Sequence, residues 1–236
     1  MHVLLKPIVL AWCAARHPLL KRRYRRLVLE EIDGVPLLIL PEVFNPVLLR
    51  TGKFLARVLN AIPLPPDANQ VLDMGTGSGV GAIFAARRGA RVVAVDINPE
   101  AVRCARLNAM LNRLEHRIDV RHGDLMAPLE PQSGDTFDLV LFNPPYYRGA
   151  PRDHLDFAWR GQDVFERFAA GLPSVLKPQG RAVVIFSSDG AWDEARGALE
   201  AQGFRVHPLE QVHYVNEVVT AYQVEPLSQP TMVRRA

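Results

Sequence analysis

The sequence predicts an α/β fold with a mostly parallel sheet of seven strands, an antiparallel strand at one edge, and helices on both faces. Apolar runs of strand length alternate with segments of helical period from residue 71 to residue 202. The run Phe137–Phe142 is almost continuously apolar, as expected of a strand that is buried on both faces. Because parallel strands are joined by right-handed helical crossovers, this order places the sheet between two layers of helices.

The predicted elements begin with a hairpin. Asp33-Gly34 separates the apolar runs Leu27–Ile32 and Val35–Leu40, and both turn residues tolerate positive φ. A helix is predicted over Leu48–Ala61 and ends at the prolines of Pro63–Pro66. The strands of the sheet are predicted at Val71–Met74, Arg91–Val95, Ile118–His122, Phe137–Phe142, Arg181–Ser187, Phe204–Glu210 and Val212–Val224. The helices between them are predicted up to Arg88 and at Pro99–Leu111, Val164–Leu176 and Ala191–Gln202.

These elements divide the chain into three parts. Residues 1–45 are predicted to form a basic extension of one helix and the hairpin, 46–226 the main domain, and 227–236 a loose tail. The apolar run Val3–Ala15 is interrupted by Lys6 and Pro7 and is too short to span a bilayer. Its basic cluster follows it, which is the reverse of a secretory signal. We therefore expect no stable membrane insertion.

Composition indicates a soluble globular protein of the cytoplasm. The 236 residues suit one α/β domain with a modest extension, and 48% of them are hydrophobic. Cys13 and Cys104 lie far apart and outside any metal-ligand spacing, so the sequence predicts neither a disulfide nor a metal site. The oligomeric state is left open.

The net charge of +3 comes from the N-terminal part of the chain. Residues 1–50 carry eight Lys and Arg against four Asp and Glu, whereas residues 51–236 carry twenty against twenty-one. The cluster Lys21–Arg26 interleaves Tyr24 with basic residues, as a phosphate-contacting surface does, but a solvated face before the hairpin explains it as well. A protein substrate and a nucleic-acid substrate are therefore both open.

Acidic residues at the ends of three strands predict a nucleotide-like cofactor. Glycines in the turn Gly75–Gly79, after the first strand, allow close approach of a ligand to the backbone. Asp96 ends the second strand, where a carboxylate can bind both hydroxyls of a ribose. Asp124 follows the third strand and is placed to accept from an adenine amino group. Ligands of open α/β sheets lie beyond the carboxyl ends of the strands, where all three features fall.

Two cofactor classes fit this turn. Gly77–Ala82 matches the G-x-G-x-x-A pattern, and Asp96 follows about twenty residues on, as a nicotinamide dinucleotide requires. Asp73 favours S-adenosylmethionine, because a carboxylate before the glycines suits a cationic methionine group and repels a pyrophosphate. A nicotinamide-dependent oxidoreductase is the alternative.

The sequence Asn143-Pro144-Pro145-Tyr146 follows the fourth strand and predicts the reaction. The two prolines restrict the loop to extended conformations, and neither donates a backbone N–H. The Asn143 side-chain oxygen and the Pro144 carbonyl can then accept both hydrogens of a planar NH₂ group and align its nitrogen with an activated methyl group. Tyr146 offers a ring on which that group can pack.

Together these motifs resemble class I, Rossmann-like methyltransferases of the HemK type, which include the release-factor glutamine methyltransferases and related small-domain enzymes of ribosomal RNA. The resemblance covers roughly Pro41 to Ser187. It implies that a segment around Phe44 closes over the cofactor and takes part in substrate binding. The cofactor contacts that we expect are Asp73, Gly75, Thr76, Gly77, Gly79, Asp96, Ile97, Asp124, Leu125 and Asn143. The expected catalytic residues are Asn143, Pro144 and Tyr146, and the expected substrate contacts are these three with Pro145 and Phe44.

The predicted activity is N-methyl transfer from S-adenosylmethionine to a planar NH₂ nitrogen, with a protein glutamine amide as the first choice. An exocyclic base amine of RNA or DNA, or a small molecule, is the alternative acceptor. Two departures from the family bear on this choice: Gln162 stands where the glutamine enzymes carry a second glycine, and the N-terminal extension is shorter than their substrate-binding domain.

Overall fold

The computed structural model describes residues 26–48, 51–62, 70–152, 154–215 and 217–227. The predicted N-terminal helix, most of the Lys21–Arg26 cluster, Cys13, the prolines of Pro63–Pro66 and nearly all of the tail lie outside the described residues. Within them, no helix is long and apolar enough to cross a membrane.

The described residues form a central sheet with a hairpin before it. The strands are β1 (Val28–Ile32), β2 (Val35–Ile39), β3 (Gln70–Met74), β4 (Arg91–Asp96), β5 (Ile118–His122), β6 (Phe137–Phe142), β7 (Tyr147–Arg148), β8 (Arg160–Gly161), β9 (Leu176–Ser187), β10 (Phe204–His213) and β11 (Val218–Pro226). The helices are α1 (Thr51–Ala61), α2 (Val80–Arg87), α3 (Pro99–Leu111), α4 (Val164–Val175) and α5 (Trp192–Ala201).

The sheet has seven strands in the order β10-β11-β9-β6-β3-β4-β5. All neighbouring pairs from β9 to β5 are parallel, and β11 pairs antiparallel with both β9 and the edge strand β10. This confirms the predicted seven-stranded, mostly parallel sheet. The register Met74↔Phe142 between β3 and β6 places the glycine turn beside the Asn143–Tyr146 loop.

Helices cover both faces of the sheet, as predicted. One hydrophobic cluster joins the sheet to α1, α2, α3 and the β1–β2 hairpin, and a second joins it to α4 and α5. Strand β6 contributes to both, with Leu139 and Leu141 on one side and Phe137, Val140 and Phe142 on the other. A strand buried on both faces explains the nearly continuous apolar run in the sequence.

The hairpin is bound to the sheet layer through helix α3. Asn108 is fully buried; its Oδ1 accepts from the Leu38 N–H at 2.6 Å, and its Nδ2 donates to the carbonyls of Leu38 and Ser78. Asn112 donates to the Pro36 carbonyl at 3.0 Å. Side-chain amides thus provide hydrogen-bond partners for backbone N–H and C=O groups along one edge of β2.

The structure differs from the predicted elements in four places. The last hairpin turns later than predicted: β10 runs to His213 and β11 begins at Val218, because the chain reverses where the Tyr214 N–H donates to the Glu217 carbonyl at 2.8 Å. Strand β9 begins at Leu176 rather than Arg181, because Leu176 leaves helix α4 with extended backbone and pairs with Phe137. The two-residue strands β7 and β8 were not predicted, since so short a pair has no periodicity of its own. Helix α1 begins at Thr51, after two residues that lie outside the described part of the chain.

Candidate active site

A cavity of about 340 Å³ opens at the carboxyl ends of the parallel strands, a volume typical of small-molecule sites. Most of the predicted site residues line it: Phe44, Asp73, Gly75, Thr76, Gly77, Asp96, Ile97, Asp124, Leu125, Asn143 and Pro145. Gly79, Pro144 and Tyr146 are sequence neighbours of lining residues but do not themselves line the cavity. The structure therefore brings the motifs at the ends of four parallel strands, β3, β4, β5 and β6, into one site.

The glycine turn has a backbone that only glycine adopts easily. Gly75, Gly77 and Gly79 have φ of 63°, 57° and 86°. A Cβ on Gly79 would lie 3.3 Å from the backbone of Ala105 in α3, whereas a Cβ on Gly77 would meet nothing within 4 Å. Gly79 thus allows the turn to pack against α3, and Gly77 presents open backbone to the cavity.

Asp73 holds the glycine turn to helix α2. Its buried Oδ2 accepts from the Thr76 hydroxyl at 2.6 Å and from the Ala82 N–H at 2.8 Å. Gly81 is required opposite it, since a Cβ there would lie 2.4 Å from Asp73 Oδ1. Burial raises the pKa of the Asp73 carboxyl from 3.8 to about 6, and these two hydrogen bonds only partly oppose that rise.

The raised pKa of Asp73 predicts a pH dependence of stability. Because the folded state binds this proton more tightly than the unfolded chain, the Asp73 contribution is fully present below pH 4 and is lost as the pH rises through about 6. The loss amounts to about 3 kcal/mol. Asp73→Asn, whose side-chain oxygen can keep both hydrogen bonds, should gain stability relative to wild type over this window. Urea unfolding of both proteins from pH 4 to pH 7 measures the difference, and parallel curves would contradict the prediction.

Asp96 lies at the end of β4 with both carboxylate oxygens directed at neighbouring backbone. Oδ2 accepts from the Gly77 N–H at 2.8 Å and Oδ1 from the Asn98 N–H at 2.9 Å. Burial raises the pKa of this carboxyl above its ordinary value, and the two hydrogen bonds lower it in part. Each oxygen keeps a second lone pair, so the carboxylate can still accept from two ribose hydroxyls.

The Asp124 carboxylate already has a cationic partner in the cavity wall. Arg167 of α4 donates from Nη1 to Asp124 Oδ2 at 2.6 Å and from Nε to Asp163 Oδ1 at 3.0 Å. Arg167 also lines the cavity. Arg167 was not predicted as a site residue, although the Asp163–Arg167 spacing of four residues at a helix start was a signal for an ion pair.

In the Asn143–Tyr146 loop, which is called the acceptor loop below, Asn143 lines the cavity and Tyr146 lies behind it. The Tyr146 hydroxyl donates to Asn143 Oδ1 at 2.7 Å, and its ring packs against Phe186 with centroids 5.4 Å apart. Burial raises the pKa of the Tyr146 hydroxyl, so it stays a donor. The predicted packing of this ring on the substrate stays a prediction, because here the ring contacts Phe186.

The segment before α1 forms part of the cavity wall. Phe44 lines the cavity and packs against Trp159 with ring centroids 5.5 Å apart. Asn98, also missed in the sequence, donates from Nδ2 to the carbonyls of Glu42 and His154 at 3.0 and 3.2 Å. One buried amide thereby fastens the segments around Glu42 and His154 to the start of α3.

Fold and site together define a Rossmann-like methyltransferase, with a glycine turn after β3, a carboxylate at the end of β4 and the Asn143–Tyr146 loop after β6. The chain belongs to the methyltransferase small domain family, whose model matches residues 37–202. It is an S-adenosylmethionine-dependent enzyme of the HemK-like group. The nicotinamide-dependent alternative is thereby rejected.

Known relatives support this assignment. The chain is 34% identical over 206 residues to a putative protein N5-glutamine methyltransferase of Methanocaldococcus jannaschii, covering 79% of this chain and 96% of that protein. It is 37% identical over 157 residues to a release factor glutamine methyltransferase of Rhodospirillum rubrum, covering 60% and 47% of the two chains. The chain thus spans less than half the length of that bacterial release factor enzyme.

Solved structures show the same fold. A 16S rRNA methyltransferase of T. thermophilus, in complex with AdoMet and guanosine, superposes with a TM-score of 0.64 at 24% identity and covers 85% of this chain and 50% of that one. The E. cuniculi complex that methylates a translation termination factor gives 0.59 at 22% identity, with 78% and 99% covered.

Proposed function

We propose that this enzyme methylates the side-chain amide nitrogen of a protein glutamine. The observation that carries methyl transfer to a planar NH₂ nitrogen is the position of Asn143, which lines the cavity beside the glycine turn. The names of the M. jannaschii and R. rubrum relatives support the same acceptor.

The residues of the cavity fit S-adenosylmethionine, which supplies a methyl group activated on a sulfonium sulfur. Gly77 leaves open backbone toward the cavity, Asp96 offers the ribose two acceptor oxygens, and Asp124 offers one to adenine. Thr51 has a buried hydroxyl without a hydrogen-bond partner among the described residues, and the residue after it, Gly52, lines the cavity. We assign this hydroxyl, at the start of helix α1, to the methionine carboxylate.

We assign two oxygens to the acceptor nitrogen: the side-chain oxygen of Asn143, which lines the cavity, and the backbone carbonyl of Pro144, the next residue of the loop. An amide nitrogen is a weak nucleophile because its lone pair is delocalised. Hydrogen bonds from its two N–H groups to Asn143 Oδ1 and the Pro144 carbonyl favour the positive charge that builds on nitrogen and fix its direction of attack. Asn143 Oδ1 has two lone pairs, so it can accept from the substrate while Tyr146 still donates to it. The methylated nitrogen is then strongly acidic, and its proton is lost to solvent water.

Charges beside the acceptor loop favour a protein over a nucleic acid. Tyr147 is 44% exposed, and burial of its hydroxyl together with the negative charges of Asp189 and Glu217 raises its pKa. Two cations lie at this surface: Arg148 is paired with Glu166 and Glu194, and Arg160, which opposes part of the rise in the Tyr147 pKa, is paired with Asp156. A phosphate backbone would be repelled at this surface, whereas a peptide carrying a cationic side chain would be attracted.

An exocyclic base amine is the second candidate acceptor. A tRNA1(Val) adenine-N6 methyltransferase of Porphyromonas gingivalis is 35% identical over 126 residues, which cover 50% of this chain. Both acceptors present a planar NH₂ group, so the same two oxygens serve either reaction. The acidic surface beside the loop is the reason for ranking the base amine second.

A labelled-methyl experiment tests the acceptor. The enzyme is incubated with methyl-labelled S-adenosylmethionine and cell extract, and the protein, RNA and small-molecule fractions are separated, with Asn143→Ala as the inactive control. We expect label in protein, recovered after proteolysis as N5-methylglutamine. Label that appears in RNA and disappears on nuclease treatment would replace glutamine with the base amine as acceptor.

The domain division and the cellular location stay proposals. The family model begins at residue 37, inside the hairpin, and hairpin side chains share a hydrophobic cluster with α3. We retain the division at residue 45 as a description of the sequence pattern. A cytoplasmic location is proposed because the R. rubrum relative is named for a release factor.

A further inference from the structure

Arg167 lines the cavity, but the proposed methyl transfer gives it no role. It lies in the first turn of α4, and its guanidinium bridges Asp124, in the turn after β5, and Asp163, just before α4. The side chains of Arg167 and Asp124 are 44% and 42% exposed, and both residues line the cavity. No other cation is bonded to Asp124 among the described residues.

We propose that Arg167 is a positioning residue that orients the Asp124 carboxylate toward the 6-amino group of adenine and so makes the cofactor site selective for adenine. Arg167 occupies Oδ2 of Asp124, which leaves Oδ1 as the acceptor for a donor on the ligand. The proposal rests on the assignment of Asp124 to the adenine end of the cofactor.

The geometry gives Arg167 this role because Asp124 is otherwise lightly restrained. The carboxylate stands on a turn closed by the Ala127 N–H donating to the Asp124 carbonyl, and it is half exposed. Without a partner it would rotate into water, since solvation of a free carboxylate is favourable. Asp163 accepts from the other side of the guanidinium and so limits the rotamers of the Arg167 side chain. The pKa of Arg167 is raised chiefly by its hydrogen bond to Asp124, so it stays charged.

A rival role for Arg167 is direct contact with the base. The two roles predict opposite effects of losing Arg167 on the preference for adenine over hypoxanthine. Hypoxanthine carries a carbonyl oxygen where adenine carries its amino group. An Asp124 carboxylate aimed at this position repels that oxygen, whereas an arginine in contact with the base would donate to it. Loss of Arg167 therefore lowers the preference for adenine if it acts through Asp124, and raises that preference if it contacts the base.

The experiment compares two probes, S-adenosylhomocysteine and S-inosylhomocysteine, by calorimetric titration of the full chain. Wild type should bind the adenosyl probe about tenfold or more tightly. Arg167→Gln should reduce this preference to about two- to threefold, and Asp163→Asn should reduce it by a smaller factor. Arg196→Gln is the matched control, since Arg196 forms a similar exposed pair with Glu200 outside the cavity; it should keep the wild-type preference.

A double-mutant comparison completes the test. In an Asp124→Asn background, Arg167→Gln should have no further effect on the ratio of the two dissociation constants. A preference that is unchanged or larger in Arg167→Gln, or an equal effect in both backgrounds, would overturn the proposal. If Arg167→Gln fails to fold, Asp163→Asn, which keeps Arg167 in the cavity wall, decides between the same outcomes. No methyl acceptor is used, so failure of the glutamine assignment would leave these results unaffected.

Discussion

Asn143→Ala is expected to lower kcat by about a hundredfold or more while the dissociation constant of S-adenosylmethionine stays near the wild-type value. The lost interaction is made mainly in the transition state, when the acceptor nitrogen gains positive charge, so its removal affects turnover rather than cofactor binding. Single-turnover methyl transfer and calorimetric titration of the cofactor measure the two quantities separately.

Asn143→Asp provides the matched comparison. Aspartate keeps the acceptor oxygen and the approximate shape of the side chain, and the Tyr146 hydroxyl can still donate to it. We expect it to recover part of the lost turnover, with the added negative charge limiting the recovery. Wild-type turnover in Asn143→Ala would remove Asn143 from the mechanism, and equal loss in both variants would point to a packing defect.

Asp96→Ala is expected to weaken S-adenosylmethionine binding by roughly 1–3 kcal/mol, or about five- to 150-fold in the dissociation constant. Two effects combine: the ribose loses both acceptors, and the Gly77 N–H loses the oxygen that fixes the glycine turn. Calorimetric titration measures the change. Asp119→Ala is the control, because Asp119 is an exposed carboxylate on the neighbouring strand β5 and lies outside the cavity wall. An unaltered dissociation constant in Asp96→Ala would show that the ribose is bound elsewhere.

The sequence predicted best those elements whose ends are set locally. Helix α3 was predicted at its observed bounds, because Asn98 caps the Glu100 N–H and Pro99 occupies the first helical position. Strands β5 and β6 were likewise predicted at their observed bounds. The long strand β9 was not, since its first residue, Leu176, joins the sheet through pairing with Phe137 of β6 and carries no strand pattern of its own.

The residues of the candidate site also fall into two groups, those that the sequence predicted and those that it did not. Residues at strand ends could be placed on one edge of the sheet because the alternation of strands and helices determines where parallel strands end. Their side-chain partners could not be predicted. Arg167 is 43 residues from Asp124, and Asn98 is 56 residues from both Glu42 and His154. Such contacts follow from the packing of α4 and of the segments around Glu42 and His154, which no local pattern encodes.

The buried Asn108 also constrains the order in which a ribosome can complete this fold. Strands β1 and β2 are synthesised first, yet the amide that pairs with β2 belongs to a helix that ends at Leu111. During vectorial synthesis the hairpin must therefore wait, with one edge open to water, until α3 has left the exit tunnel and folded. The glycine turn, whose Ser78 carbonyl is bound by the same amide, acquires its final support at that moment.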